Sequence, residues 1–130
     1  MFRPMMVPAV LLAASMLQGA AAAPTYDVTF TLDQGSYTGT TTFNVDRKGV
    51  VTGTMKLSSP IAVDGTLAGE VKNGTWTFEY PYTIPEQGCS GTVTGTGKVS
   101  ADRKSITGDA TIGGACVEQP TAATFSFTRK

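Results

Sequence analysis

Cys89 and Cys116 are the side chains of this sequence best suited to covalent chemistry, and there is no histidine to assist them. A nucleophilic cysteine or serine needs a nearby base, most often an imidazole, and a transition-metal site uses the same group as its commonest ligand. The two cysteines are not in a C-x-x-C arrangement, so a redox pair is not indicated. In an exported chain their default is a structural disulfide, and closing a loop of this length contributes about 3–4 kcal/mol on the chain-entropy model. Without histidine, acid–base work would fall to a carboxylate pair. However, Asp27, Asp64, Glu70, Glu79 and Asp109 all fall on a threonine-rich alternation, where a carboxylate is solvated. Asp33, Asp46 and Asp102 sit in turn-forming stretches without the spaced oxygen ligands of a calcium loop. The expectation is a protein without catalytic residues, metal or cofactor.

The chemistry that remains is recognition by aromatic groups. Thr75–Ile84 places Trp76, Phe78, Tyr80, Tyr82 and Ile84 on one side and Thr75, Thr77, Glu79, Pro81 and Thr83 on the other. Successive side chains leave a strand on opposite faces, so this period of two predicts a half-buried strand. Large rings bury much area, and tyrosine hydroxyls seek polar partners. Tyr37, Phe43, Phe125 and Phe127 fall on the apolar side of other alternating segments. With the four aromatics of Thr75–Ile84 they are the candidate ligand-binding or core residues.

The elements that must position these residues are strands. Residues 1–22 read as a secretory signal, with Arg3 as its basic start, an apolar run over 5–17, and small residues at Ala20-Ala21-Ala22 for cleavage. That run is short for a membrane-spanning helix, which needs about 20 apolar residues. Residues 23–130 then form a single domain, and a periplasmic or secreted location is expected. Without Arg3 the cations fall from 10 to 9 against 10 acids, so the net charge is near −1. No basic surplus points to nucleic acid. In sequence the charges are scattered singly, as on a solvated face.

Eight alternating segments follow the signal, separated by turn residues such as Asp33-Gln34-Gly35-Ser36, Asp46-Arg47-Lys48-Gly49 and Lys72-Asn73-Gly74. Asn-Gly suits a type I′ turn, and Gly49 is free to take positive φ. No window has helical period. About eight strands with short connections predict an all-β, antiparallel up-and-down sheet, and closure into a small barrel removes its edges. All ten aromatics of residues 23–130 then share the inward register with Gly39, Gly53, Gly65, Gly69, Gly91, Gly95, Gly97 and Gly108. Small residues opposite large ones let a narrow barrel close. Because Trp76, Tyr80 and Tyr82 are large, a mostly filled interior is expected. A short internal repeat relates 45–53 to 101–108, and each copy reads as strand, Asp-Arg-Lys turn, strand.

Across residues 23–130 the pattern resembles the lipocalin and calycin class of small barrels in architecture. The G-x-W signature of lipocalins is absent, and Gly35-Ser36-Tyr37 stands where it would be sought. The resemblance implies a fold and carries over no residue roles. The leading functional expectation is an exported, soluble binding or interaction module without catalytic activity, whose partner is a small apolar ligand or a protein. One alternative is a periplasmic inhibitor of a protease or lysozyme, entering the enzyme's cleft with residues 85–88 or 113–120. The other is a small outer-membrane barrel, although stable membrane insertion is not expected because the polar face is mostly threonine and the segments are mostly shorter than the 9–11 residues of membrane strands.

Overall fold

The computed structural model describes residues 23–130, so the signal-peptide expectation over 1–22 lies outside the described residues. Eight strands follow one another: β1 (Thr25–Leu32), β2 (Gly35–Val45), β3 (Val50–Ser59), β4 (Val63–Lys72), β5 (Thr75–Ile84), β6 (Cys89–Val99), β7 (Ser105–Gly114) and β8 (Thr121–Arg129). Each pairs antiparallel with its neighbours in the chain, and β8 returns to β1 to close the barrel. The all-β barrel expected from the alternation is the observed fold, and closure leaves no unpaired sheet edge among the described residues.

Up-and-down order sorts the connections between two ends. The β1–β2, β3–β4, β5–β6 and β7–β8 connections lie at one end, called the open end below. The β2–β3, β4–β5 and β6–β7 turns lie at the other, the closed end, together with Thr25 and the last residues of the chain, where the Lys130 amide donates to the Thr25 carbonyl at 3.0 Å.

β5 shows the alternation most cleanly: Trp76, Phe78, Tyr80, Tyr82 and Ile84 are buried, and the residues between them are outward. Nine of the ten aromatics are buried and Tyr37 is half-buried. Each buried aromatic removes about 150–250 Å² from water, worth about 4–6 kcal/mol of transfer as an upper figure. Thr41 is the one buried polar side chain in the inward set, and its hydroxyl donates to the Thr54 carbonyl at 2.7 Å. Trp76 Nε1 is buried without a partner, at a cost of about 1–3 kcal/mol that the packing of its ring must exceed.

The rings of β5 lie across glycines on both flanking strands. Phe78 is in register with Gly69 of β4 and Gly95 of β6; Tyr82 is in register with Gly65 and Gly91. A Cβ at Gly95 would fall on the Phe78 ring, and one at Gly91 would stand 2.7 Å from the Tyr82 hydroxyl. Gly65, Gly69, Gly91 and Gly95 therefore make room for β5 aromatics, while Gly53 and Gly97 lie against Phe43 and Phe125.

The turns follow their local chemistry. Asn73 and Gly74 both take left-handed φ, 54° and 77°, and Gly49 takes 87°. In the β2–β3 turn the Asp46 carboxylate accepts from the Lys48 and Val50 amides at 2.8 and 2.9 Å. In the β6–β7 turn Asp102 accepts from the Lys104 amide at 3.0 Å and the Ser100 hydroxyl at 2.6 Å. The Ser100 hydroxyl, then the Lys104 amide, hold the Asp102 carboxyl below its ordinary value. The two copies of the internal repeat are thus two aspartate-anchored turns at the same end.

Three details differ from the expected segments. β2 begins at Gly35 because the β1–β2 turn needs only Asp33 and Gln34, and β7 runs on to Gly114, into the expected 113–120 loop. Val45, in the inward register, is 47% exposed because β2 has passed the end of the core by that point. Replacing Gly95 by alanine is expected to destabilise the barrel by about 1–3 kcal/mol through overpacking against Phe78. Adding Phe78→Leu should make the alanine less costly, and a double-mutant cycle of urea unfolding checks that coupling. Additive effects would mean that the ring does not set the glycine requirement.

Candidate functional site

The aromatics named from sequence divide between two halves of the interior. Phe43, Trp76, Phe78, Phe125 and Phe127 pack together, with centroid separations of 5.1 Å for Phe43–Trp76, 5.0 Å for Phe78–Phe125 and 5.2 Å for Phe125–Phe127. Tyr26 stacks on Phe43 at 4.8 Å and extends this cluster toward the closed end. Tyr37, Tyr80 and Tyr82 lie in the other half, around a cavity of about 410 Å³ at the open end. The mostly filled interior expected from the large rings holds for the closed half, and toward the mouth packing gives way to this cavity. The physical reason lies in the side chains above the aromatic layer. Val63, Val93, Ile112 and Thr121 supply small or medium groups where the closed half has rings.

The cavity is built in layers. Phe30, Tyr80 and Val63 are its most deeply buried members, and Leu57, Tyr82, Ile84 and Val93 are also buried around it. At the mouth stand Gln34, Gln87, Glu118 and Gln119, contributed by the connections rather than the strands. Leu32, Ile61, Ile112 and Val117 complete an apolar lining.

The phenols are held in place. The fully buried Tyr80 hydroxyl lies 3.2 Å from the Met55 carbonyl oxygen and 3.3 Å from that of Val63, and it donates between them. The Tyr82 hydroxyl donates to the Gly113 carbonyl at 3.3 Å. Burial, then the Asp64 carboxylate and the neighbouring Tyr82, push the Tyr80 phenol well above its ordinary value. Burial, then Tyr37, raise Tyr82. Both are neutral donors at physiological pH, so the cavity presents an apolar, uncharged interior. Asp33, Asp64, Glu86 and Glu118 lie at or near this end of the barrel. Lys56, in register with Asp64, is the one cation near them among the described residues.

Cys89 and Cys116 form the expected disulfide, with Cα atoms 5.4 Å apart and a sequence separation of 27. It ties the start of β6 to the β7–β8 connection, and Cys116 itself lines the cavity. The bond thus pins the segment carrying Val117, Glu118 and Gln119 over the mouth.

A second concavity of about 670 Å³ lies on the outer face, over Gly69 and Gly95, with Glu70, Glu79 and Asp109 among its lining residues. It is a shallow depression open to solvent. Its carboxylates are exposed, as the threonine-rich register predicted. Among the described residues no group of three or more histidines, cysteines or acids is gathered as a metal site.

Sequence reasoning found Tyr37, Tyr80 and Tyr82 but missed the mouth residues Gln34, Gln87, Glu118 and Gln119. Their one available signal is chain order: alternate connections of an up-and-down sheet share an end.

The chain matches no protein-family model and no curated protein. Solved structures do resemble it. One is EF1p2_mFAP2b bound to DFHBI, with a TM-score of 0.65 and 18% identity over 91% of this chain and 97% of that one. A redesigned β-barrel, mFAP1, also bound to DFHBI, has a TM-score of 0.61 and 18% identity over 82% and 94% of the two chains. A fluorescence-activating β-barrel designed de novo has a TM-score of 0.59 at 18% identity, over 84% and 94%. At this identity the likeness is one of fold.

Two outcomes are expected. Because the folded state keeps Tyr80 protonated above its ordinary value of 10.0, stability should be level below about pH 10 and fall as the pH rises further. Urea unfolding at successive alkaline pH values checks this, and Tyr80→Phe should flatten the fall; an unchanged slope removes Tyr80 as its source. Separately, the Cys89→Ser, Cys116→Ser double variant should lose about 3–4 kcal/mol in urea unfolding. It should also gain amide exchange over 115–120 before the strands do, whereas uniform exchange would show that the bond does not act locally.

Proposed function

We propose that this protein is a non-catalytic exported binding module whose open end takes up one small apolar molecule, neutral or cationic. The observation that carries the reading is the interruption of aromatic packing half-way up the barrel. A cavity of about 410 Å³ is left with an apolar, tyrosine-lined interior and a polar rim. Ligand pockets commonly occupy about 300–1,000 Å³, with mostly apolar walls and a few placed polar groups. The neutral phenols offer no countercharge, and the excess of carboxylates at this end disfavours an anion. Binding barrels of the same fold, two of them bound to DFHBI, are consistent with this use of the mouth.

The alternatives have less support. Residues 85–88 form a compact turn, with the Gln87 and Gly88 amides donating to the Ile84 carbonyl at 3.1 and 2.9 Å, and do not project as a loop entering an enzyme cleft would. Strands β2 to β8 run 9–11 residues, so the expected shortfall in length against membrane strands is corrected; the outward faces, of threonine, serine and charged residues rather than an apolar band, still weigh against a lipid-embedded barrel.

Three environment-sensitive dyes of similar size, one neutral, one cationic and one anionic, test the reading by fluorescence titration. The neutral and cationic dyes should bind with one-to-one stoichiometry and the anionic one more weakly. Ile112→Trp, which fills the mouth, should abolish the signal while leaving the unfolding midpoint within a few degrees. Absence of binding across the panel, or binding unaffected by Ile112→Trp, would overturn the assignment.

A further inference from the structure

The charges that look scattered in sequence are sorted by the meander. Of the nine lysines and arginines in residues 23–130, eight stand in or beside the closed-end turns: Arg47 and Lys48, Lys72, Lys98, Arg103 and Lys104, and Arg129 and Lys130. Lys56, within β3, is the exception. The closed end also carries Asp27, Asp46, Glu70 and Asp102, but two of these carboxylates accept hydrogen bonds from their own turns. Among the described residues the only ion pair is Lys130 with Asp27, at 3.7 Å. The other closed-end cations are therefore exposed and without a carboxylate partner, Lys98 donating to the Thr75 hydroxyl at 3.0 Å, around one face.

A second, independent feature marks the same face. The exposed large hydrophobic residues among the described residues are Val45 and Val50, 47% and 41% exposed, and they flank the Asp46-Arg47-Lys48-Gly49 turn. The face thus combines a ring of cations with an apolar tip. We propose that the closed end docks on an anionic phospholipid surface, with the cations on the headgroups and Val45 and Val50 in the interfacial layer. Basic groups near an anionic leaflet add affinity in proportion to their number, and buried apolar side chains add a contribution that salt does not screen. Nucleic acid fits less well. The aromatics that would stack on bases are inside the barrel, and an apolar tip has no role on a phosphate backbone. Docked in this way, the barrel holds its acidic mouth away from the membrane and open to the aqueous side.

The test is co-sedimentation of the full chain with phosphatidylcholine vesicles and with vesicles containing about one-third phosphatidylglycerol, at low and raised salt, because screening shortens to about 10 Å near 0.1 M. The leader, where retained, brings Arg3 and its apolar run to every variant alike, so the readout is the difference between variants on the same vesicles. Anionic vesicles should be preferred and the preference should fall with salt. Arg47→Glu with Lys48→Glu, and on separate turns Lys104→Glu with Arg129→Glu, should each weaken anionic binding by about tenfold or more. Val45→Ser with Val50→Ser should weaken it by about two- to tenfold and leave its salt dependence unchanged. Lys56→Glu should have little effect, which separates local placement from net charge. Circular dichroism confirms that each variant is folded, and the two charge pairs serve as each other's backup. Equal partition to both vesicle types, charge variants indistinguishable from the parent, or tight binding to an oligonucleotide without binding to vesicles would each overturn the proposal.

Discussion

Everything in this barrel depends on one steric arrangement: large rings on β5 lying over positions that have no side chain on β4 and β6. Phe78 between Gly69 and Gly95, and Tyr82 between Gly65 and Gly91, show the pattern on both flanks. Without the glycines the rings could not turn inward at the spacing of adjacent strands. Without the rings the glycine-rich strands would have little area to bury, and they would lose the apolar contacts that offset their backbone entropy. The pairing therefore sets the narrowness of the barrel and the density of its closed half.

The same arrangement explains why the interior is not uniform. Rings from β1, β2, β5 and β8 meet in the closed half, where Trp76 packs against both Phe43 and Phe127. Toward the mouth valine, isoleucine and threonine are interspersed with Tyr37, Tyr80 and Tyr82, and the Tyr80 and Tyr82 hydroxyls turn to backbone carbonyls. The cavity is thus a consequence of where the continuous ring packing ends. Its polar edge is supplied by connections, one of them secured by the disulfide. The molecule has two chemically distinct ends: one densely packed and basic, the other hollow and acidic.

Much of this was legible in the sequence because it depends on near neighbours. Alternation in β5 identified Trp76, Phe78, Tyr80 and Tyr82 as inward, and Asn73-Gly74 and Gly49 announced their turns by the φ values they tolerate. The cysteine pair was readable from its number and spacing. Less legible was the division of labour among the aromatics: Tyr80 and Phe78 look alike in an alternating pattern, yet one lines a cavity and the other fills a core.

The sequence by itself determined the strands, their inward faces and the cysteine bridge, because each follows from a period of two, a turn preference or a count, whereas the order in which the strands pair around the barrel was decided by the tertiary structure. Only the tertiary structure decided the height at which each inward residue sits, and hence that the core stops below the mouth. It also decided that the Asp-Arg-Lys repeat, Lys72, and Arg129 with Lys130 share one end. These are sums over eight strands whose mutual stagger is set by closure of the barrel, and no single segment of the chain carries that information.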